Sequence, residues 1–180
     1  MYHRLSVAFE EADKDEDILI TVLTGNGSYY SAGTDFSLKE MEQLGSSKGT
    51  ADGTYKHWVD TLICHSKLVV ALVNGPAIGI ACTTLALCDV VLASDQAYLY
   101  CPFTQLGLCA EGSSSYTFVQ TMGYQKAVRL AMLSEKVTAQ EAYAAGLVTQ
   151  VIPHATFLEE TRRLVAKYST LAKQVCGKVL

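Results

Sequence analysis

The sequence has no excess of positive charge: 14 lysines and arginines stand against 18 aspartates and glutamates, for a net charge of −4. A chain without a basic stripe cannot neutralise a phosphate backbone, which argues against a nucleic-acid partner. The six cysteines form no C-x-x-C pair and mostly lie in apolar runs, where a free thiol behaves as a small hydrophobe. That usage fits a reducing compartment. The four histidines make neither H-x-x-x-H nor a Cys/His knot, so no metal is expected. The opening MYHRLSVAFEEADKDED lacks a basic stretch followed by an apolar one and does not read as a secretory signal. The most apolar segment, LVVALVNGPAIGIACTTLALCDVVLAS from Leu68, is interrupted by Asn74, Pro76 and Asp89. It reads as buried core, and no membrane span is expected.

What is present is one substantial core: 49% of the 180 residues are apolar and 18% charged. Leu5, Ala8, Phe9 and Ala12 recur at helical spacing, predicting an amphipathic helix over 2–12. Ile18 to Thr24 reads as a parallel strand covered on both faces. A glycine-rich loop follows, then a helix over Ser37–Leu44, a flexible GSSKGTADGT stretch, and a helix over Tyr55–His65 presenting Trp58, Leu62 and Ile63. Leu68–Val73 is the next buried strand. A buried helix is expected over Ile78–Leu87, with strands at Asp89–Ala93 and Ala97–Tyr100, and helices at Ser113–Met122 and Tyr124–Leu133. Thr138 with Glu141 forms a capping-box pattern, with Gly146 at the C-terminal glycine position, before a strand at Val148–Ile152. A second such pattern, Thr156 with Glu159, opens a final helix of about 156–176 whose apolar face includes Leu164, Val165, Tyr168, Leu171 and Val175. Strands alternating with helices predict an α/β domain over 1–180, with no internal repeat or linker.

The strand and Gly-Asn-Gly loop at Ile18–Gly27 begin like a dinucleotide-binding turn, but the third glycine of G-x-G-x-x-G would fall at Tyr30 and no helix opens behind it. No G-x-S-x-G nucleophile elbow is present. Two strand-to-loop junctions remain, Ser31-Ala-Gly-Thr-Asp35 and Asn74-Gly-Pro-Ala-Ile-Gly-Ile80, with one carboxylate, Glu111, in a largely apolar loop. Junction glycines allow close approach to the backbone and free successive N–H groups for an oxyanion. The plainer alternative is that they serve turn geometry and that Glu111 is an acid favoured before a helix N-terminus. That N-terminus would lower the Glu111 pKa, whereas apolar neighbours such as Leu106 and Leu108 would raise it. Cys109, Tyr29, Tyr30 and Trp58 read as wall or core, and Asp89 as a structural hydrogen-bond partner.

Taken in order, VLTGNGSYYSAGTDF, KLVVALVNGPAIGIACTTLALCDVVLAS, FTQLGLCAEGSSSYTF and VTAQEAYAAGLV closely resemble the enoyl-CoA hydratase/isomerase (crotonase) family, in particular its peroxisomal type of Δ3,Δ2-enoyl-CoA isomerase. The resemblance implies a ClpP/crotonase-like fold of repeated ββα units binding an acyl-CoA. It implies an oxyanion hole from the Thr34 and Ile80 amides, a CoA-binding and acyl-binding edge at Ser31, Ala32, Gly33, Thr34, Asp35, Gly79 and Ile80, and a single catalytic glutamate, Glu111. The two hydratase acid positions of the family correspond to Thr83 and Phe103, which cannot move a proton. No cofactor is implied, coenzyme A being part of the substrate. A homotrimer in the peroxisome, or second in the mitochondrion, is the family expectation, with a non-catalytic acyl-CoA or corepressor binding module as the alternative. Against the family pattern the chain is expected to lack the opening strand with its lysine-bearing CoA loop and most of the C-terminal helices.

Overall fold

The structure, a computed structural model, describes residues 1–34 and 54–171. The expected helix over Ser37–Leu44, nearly all of the GSSKGTADGT stretch, Asp35, Val175 and Cys176 lie outside them. Helix α1 spans Tyr2–Lys14, β1 Ile20–Thr24, α2 Thr54–Cys64, β2 Leu68–Val73 and β3 Ala77–Ile78. A short helix α3, Ile80–Thr83, passes into a 3-10 turn at Thr84–Leu87. Strands β4 (Val90–Ser94) and β5 (Tyr98–Tyr100) precede α4 (Ser114–Met122) and α5 (Tyr124–Ala131). Strand β6 (Val137–Thr138), α6 (Ala139–Ala145), β7 (Gln150–Ile152) and α7 (Phe157–Tyr168) complete the order.

The strands divide into two sheets. β1, β2, β4 and β7 lie side by side in that order, all parallel, with Val22 opposite Val70 and Leu72 opposite Leu92. β3, β5 and β6 form the second sheet, β3 parallel to β5 and β5 antiparallel to β6. β2 and β4 thus serve the first sheet, and the strands that follow them, β3 and β5, the second. This is the repeated ββα arrangement expected from the motifs.

Alternation along β2 assigns its faces, because successive side chains of a strand point to opposite sides. Val69 packs with Phe9, Trp58, Val59 and Leu62 of α1 and α2. Val70 turns to the other face, where it joins Leu92, Ile152, Phe157 and Leu164, so α7 covers that side. Ala71 and Val73 enter the largest cluster with Leu85, Leu99, Phe118 and Leu130. Phe9 and Trp58 meet edge to face at 5.0 Å. Such a pair adds about 0.5–1.5 kcal/mol beyond its buried area and locks α1 across α2.

Several expectations are corrected. β1 is not covered on both faces: it borders the described sheet, and Val22 is 38% exposed. Ile63 points outward, 53% exposed, because Trp58 and Leu62 already occupy the inward stripe of α2. Ala8 is also exposed, and α1 buries Ser6 with Phe9. The buried helix over Ile78–Leu87 resolves into β3, Gly79 at φ +58, four α-helical residues and a 3-10 turn. The Thr138–Glu141 capping box forms with both reciprocal bonds, and Gly146 is left-handed at φ +91. The Thr156–Glu159 box does not form: Thr156 closes a 3-10 turn, and its hydroxyl donates to the Pro153 carbonyl instead. Asp89 accepts the Val69 N–H at 2.7 Å, the structural role expected of it.

Candidate functional site

The two glycine junctions, more than forty residues apart in sequence, lie against each other. The Tyr30 and Ser31 amides both donate to the Pro76 carbonyl, at 3.1 and 3.3 Å, and the Ile78 amide returns a bond to the Ser31 carbonyl at 3.0 Å. Ser31 also forms an isolated parallel bridge with Ala77. Asn74 clamps the same region from the end of β2. Its Oδ1 accepts the Gly25 N–H at 3.0 Å, and its Nδ2 donates to the Gly27 carbonyl at 2.9 Å and to that of Tyr29 at 3.3 Å.

Gly33 is required by this approach and Gly79 by its backbone conformation. Gly33 has φ +84, and a Cβ there would stand 2.6 Å from the Ile78 carbonyl oxygen. Gly79, at φ +58, donates to the Tyr100 carbonyl at 2.8 Å, which turns the chain from β3 into α3. Ser31, Ala32, Gly33 and Thr34 are thereby brought beside Gly79 and Ile80. Among the described residues neither the Thr34 nor the Ile80 amide donates a hydrogen bond. The Ser31 hydroxyl accepts the Gly33 N–H at 3.2 Å, and the Thr34 hydroxyl shares a 2.8 Å bond with the Tyr2 hydroxyl.

Glu111 reaches this region through its neighbour. Gly112 is buried at φ +59, and a Cβ on it would meet Thr83 Oγ1 at 2.5 Å and Ile80 Cδ1 at 3.3 Å. The loop bearing Glu111 therefore lies directly on α3. The Glu111 carbonyl accepts the Ser114 amide and hydroxyl, at 3.0 and 2.6 Å, which closes the turn into α4.

The opposed influences on the Glu111 carboxyl resolve upward. Burial pushes its pKa above the ordinary glutamate value, and the Tyr55 hydroxyl works in the opposite direction. Of the neighbours expected to raise it, Leu106 and Leu108 are themselves 51% and 37% exposed. Nor does a helix terminus prevail: Ser113 precedes α4 in a left-handed conformation, and no acid lies in its first turn.

Tyr55 was not singled out by the sequence. It sits in the first turn of α2, more than fifty residues before Glu111, and no local spacing connects the two. Its ring meets that of Tyr2 edge to face at 5.8 Å. Its hydroxyl oxygen is buried and, among the described residues, makes no hydrogen bond of ordinary geometry.

A cavity of about 150 Å³ opens between α1, α2 and the junctions. Tyr2, Leu5, Leu23, Trp58 and Ile80 give it an apolar wall, which Ser31 also lines. Tyr30 and Trp58 thus do line a pocket as expected, whereas Tyr29 is 46% exposed. A larger cavity of about 280 Å³, bordered by Phe9, Glu10, Asp13, His57 and His65, contains none of the expected site residues. Its histidines face carboxylates, His57 to Glu10 at 2.9 Å and His65 to Asp13 at 3.4 Å. Among the described residues no group of three or more His, Cys, Asp or Glu has a metal-holding arrangement.

Thr83 and Phe103 are buried, the first wholly so. Cys82 and Cys101 are buried free thiols, and donation of the Cys101 S–H to Cys82, with burial, holds the Cys101 thiol protonated. Cys109 is exposed. A half-buried carboxylate of raised pKa beside a glycine-lined backbone junction can take a proton from a carbon placed against it.

Two sheets fed alternately by successive strands, with glycine junctions meeting at their edge, define a protein of the crotonase fold. A solved enoyl-CoA hydratase/isomerase from Pseudoalteromonas atlantica superposes with a TM-score of 0.87 at 30% identity, over 98% of this chain and 68% of that one. The sequence matches the family described as enoyl-CoA hydratase/isomerase over residues 1–178, and the chain belongs to that family. It is 42% identical to rat enoyl-CoA delta isomerase 2 over 173 residues, covering 95% of this chain and 44% of the relative. It is 40% identical to mouse enoyl-CoA delta isomerase 3, peroxisomal, over 177 residues, covering 97% and 56%. The chain thus spans about half the length of these two relatives. No helix among the described residues is long and apolar enough to cross a membrane.

Proposed function

We propose that this chain carries the core of a Δ3,Δ2-enoyl-CoA isomerase acting on unsaturated acyl-CoA in fatty acid β-oxidation. The observation that supports this most strongly is the placement of one half-buried carboxylate, Glu111, in a loop packed on Thr83 and Ile80, while the hydratase acid positions hold buried Thr83 and Phe103. The isomerase names of the rat and mouse relatives support the same choice.

In this reading a 3-enoyl-CoA lies with its thioester oxygen at the Thr34 and Ile80 amides and its acyl chain toward the apolar cavity. Glu111 takes a proton from the α-carbon, and the resulting dienolate places its negative charge on the thioester oxygen. The protonated Glu111 then returns that proton to the γ-carbon, leaving a trans-2-enoyl-CoA. One carboxyl serves both steps because the α- and γ-carbons belong to one allylic unit. Loss of one oxyanion donor costs about 100-fold to 1,000-fold in rate. The Ser31-Ala-Gly-Thr-Asp35 edge holds the CoA moiety, and the chemistry needs no cofactor beyond the coenzyme A of the substrate. A homotrimer in the peroxisome accompanies this reading, the compartment being supported by the mouse relative's name.

Glu111→Ala tests it: isomerisation of a 3-enoyl-CoA should fall by about 10²–10⁴-fold while CoA-ester binding persists. An active Glu111→Ala protein overturns the assignment. A wild-type chain that binds acyl-CoA or a corepressor complex without turnover supports the binding-module alternative.

A further inference from the structure

The Tyr55 hydroxyl is a buried polar oxygen with no hydrogen bond of ordinary geometry to the described residues, an arrangement that costs free energy unless a partner is acquired. Among the described residues the Glu111 carboxylate and the Gly112 amide lie within its reach, and Tyr2 meets its ring from α1. Tyr2 is itself tied to the Thr34 hydroxyl at 2.8 Å. A line of side chains therefore runs from Thr34 through Tyr2 and Tyr55 to Glu111, joining the two halves of the site. Among the described residues Cys101, backed by Cys82, also lies within electrostatic reach of Glu111.

We propose that Tyr55 is a positioning residue for Glu111: its hydroxyl donates to the ionised carboxylate, fixing the orientation of the carboxylate and favouring the charged, proton-accepting form. This rests on Glu111 being the base. The donor is well suited to that task. Burial and the adjacent Glu111 charge both push the Tyr55 pKa upward, so the phenol keeps its proton and remains a donor across the range in which Glu111 titrates. The edge-to-face contact with Tyr2 restrains the ring, so little freedom is lost when the bond forms. When Glu111 carries the substrate proton the bond weakens, which helps return that proton to the γ-carbon.

The experiment is a carbon-13 NMR titration of the Glu111 carboxyl in the ligand-free full chain, with Glu111→Gln to assign the signal, comparing wild type with Tyr55→Phe and Tyr55→Leu. Tyr55→Phe should move the Glu111 midpoint upward by about one pH unit, as expected for loss of a hydrogen bond to the charged form. It should move the acid limb of kcat/KM by the same amount and lower kcat with little change in KM. An unchanged midpoint in folded Tyr55→Phe overturns the proposal, as does a Phe variant indistinguishable from wild type beside an impaired Leu variant, which would make the ring a packing element. The titration needs no turnover. A shifted midpoint in a chain without isomerase activity removes the function and keeps the hydrogen bond, whereas an unshifted midpoint in an active enzyme removes only Tyr55.

Discussion

Thr83 Oγ1 and Gly112 are in such close contact that a single added carbon on the glycine would sit 2.5 Å from the hydroxyl oxygen. This contact presses the loop bearing Glu111 onto the helix that begins at Ile80. Gly112→Ala adds both that overlap and a side chain at φ +59, a backbone conformation that L residues rarely adopt. Together these should cost about 1–3 kcal/mol or more and displace Glu111. Thermal unfolding and isomerase rate should both decline. Adding Thr83→Ala should recover part of the stability, and additive losses in the double variant would show that the contact is not the cause.

Gly33 makes the corresponding contact at the other junction, 2.6 Å from its would-be Cβ to the Ile78 carbonyl. Gly33→Ala is expected to separate the Thr34 and Ile80 amides. Isomerisation should fall by at least about 100-fold, the scale of one lost oxyanion donor. A folded Gly33→Ala protein with wild-type rate would contradict the role given to these amides.

The raised pKa of Glu111 gives a pH dependence with a definite sign. A base must be ionised, so the rate rises with pH through the Glu111 pKa, and its acid limb should lie above the ordinary glutamate value near 4.5. Stability runs the other way. A carboxyl whose folded pKa exceeds its unfolded one favours folding below the unfolded value, and that benefit disappears as pH rises through the folded pKa. Glu111→Gln should therefore melt higher than wild type at neutral pH, with the difference closing in acid. Equal melting at every pH would mean that burial places no load on this carboxylate.

Thr83 and Phe103 predict a negative result. Adding water to a 2-enoyl-CoA requires a base for the water and an acid for the α-carbon, and neither buried side chain can serve. The conjugated thioester absorbance of a 2-enoyl-CoA should persist in the presence of the protein. Rapid loss of that absorbance would place hydratase acids elsewhere.

The Thr138–Glu141 box offers a stability test remote from the site. Thr138→Ala should cost about 0.5–2 kcal/mol, the usual worth of such a cap. Glu141 is held below its ordinary pKa chiefly by the Thr138 backbone N–H, so its contribution is present at neutral pH and fades as pH falls through the lowered value. The Thr138 hydroxyl's own bond to that carboxylate fades with it, so the gap in denaturant midpoint between wild type and Thr138→Ala should narrow in acid, while the bond from the Glu141 N–H to the hydroxyl, which does not titrate, keeps it from closing.

Most of the architecture was legible because its signals are local. The apolar run Leu68–Val73 is a buried strand at the expected bounds, and Thr138, Glu141 and Gly146 punctuate α6 as expected. Thr156 and Glu159 carry the same pattern without the same result, because the chain leaving Pro153 enters a 3-10 turn and the Thr156 hydroxyl finds a nearer carbonyl. The junction glycines were legible as backbone features. That Gly33 touches Ile78, or Gly112 touches Thr83, depends on chain segments brought together only by the sheet. The Glu111 shift followed the same rule: its upward direction comes from burial in the folded chain, and the group that opposes it, Tyr55, is distant in sequence.

The clamp made by Asn74 has a consequence for thermodynamics of association. By tying Gly25, Gly27 and Tyr29 to the end of β2, it orders the chain leading into the first junction through hydrogen bonds of the fold itself. If the two amides receive an acyl thioester as proposed, part of the entropy of arranging them is already spent when it arrives, and the ligand's binding enthalpy need not be diverted to shaping its own receptor. Truncating Asn74 would transfer that ordering to the encounter itself, and calorimetry would record it as a larger unfavourable entropy of binding.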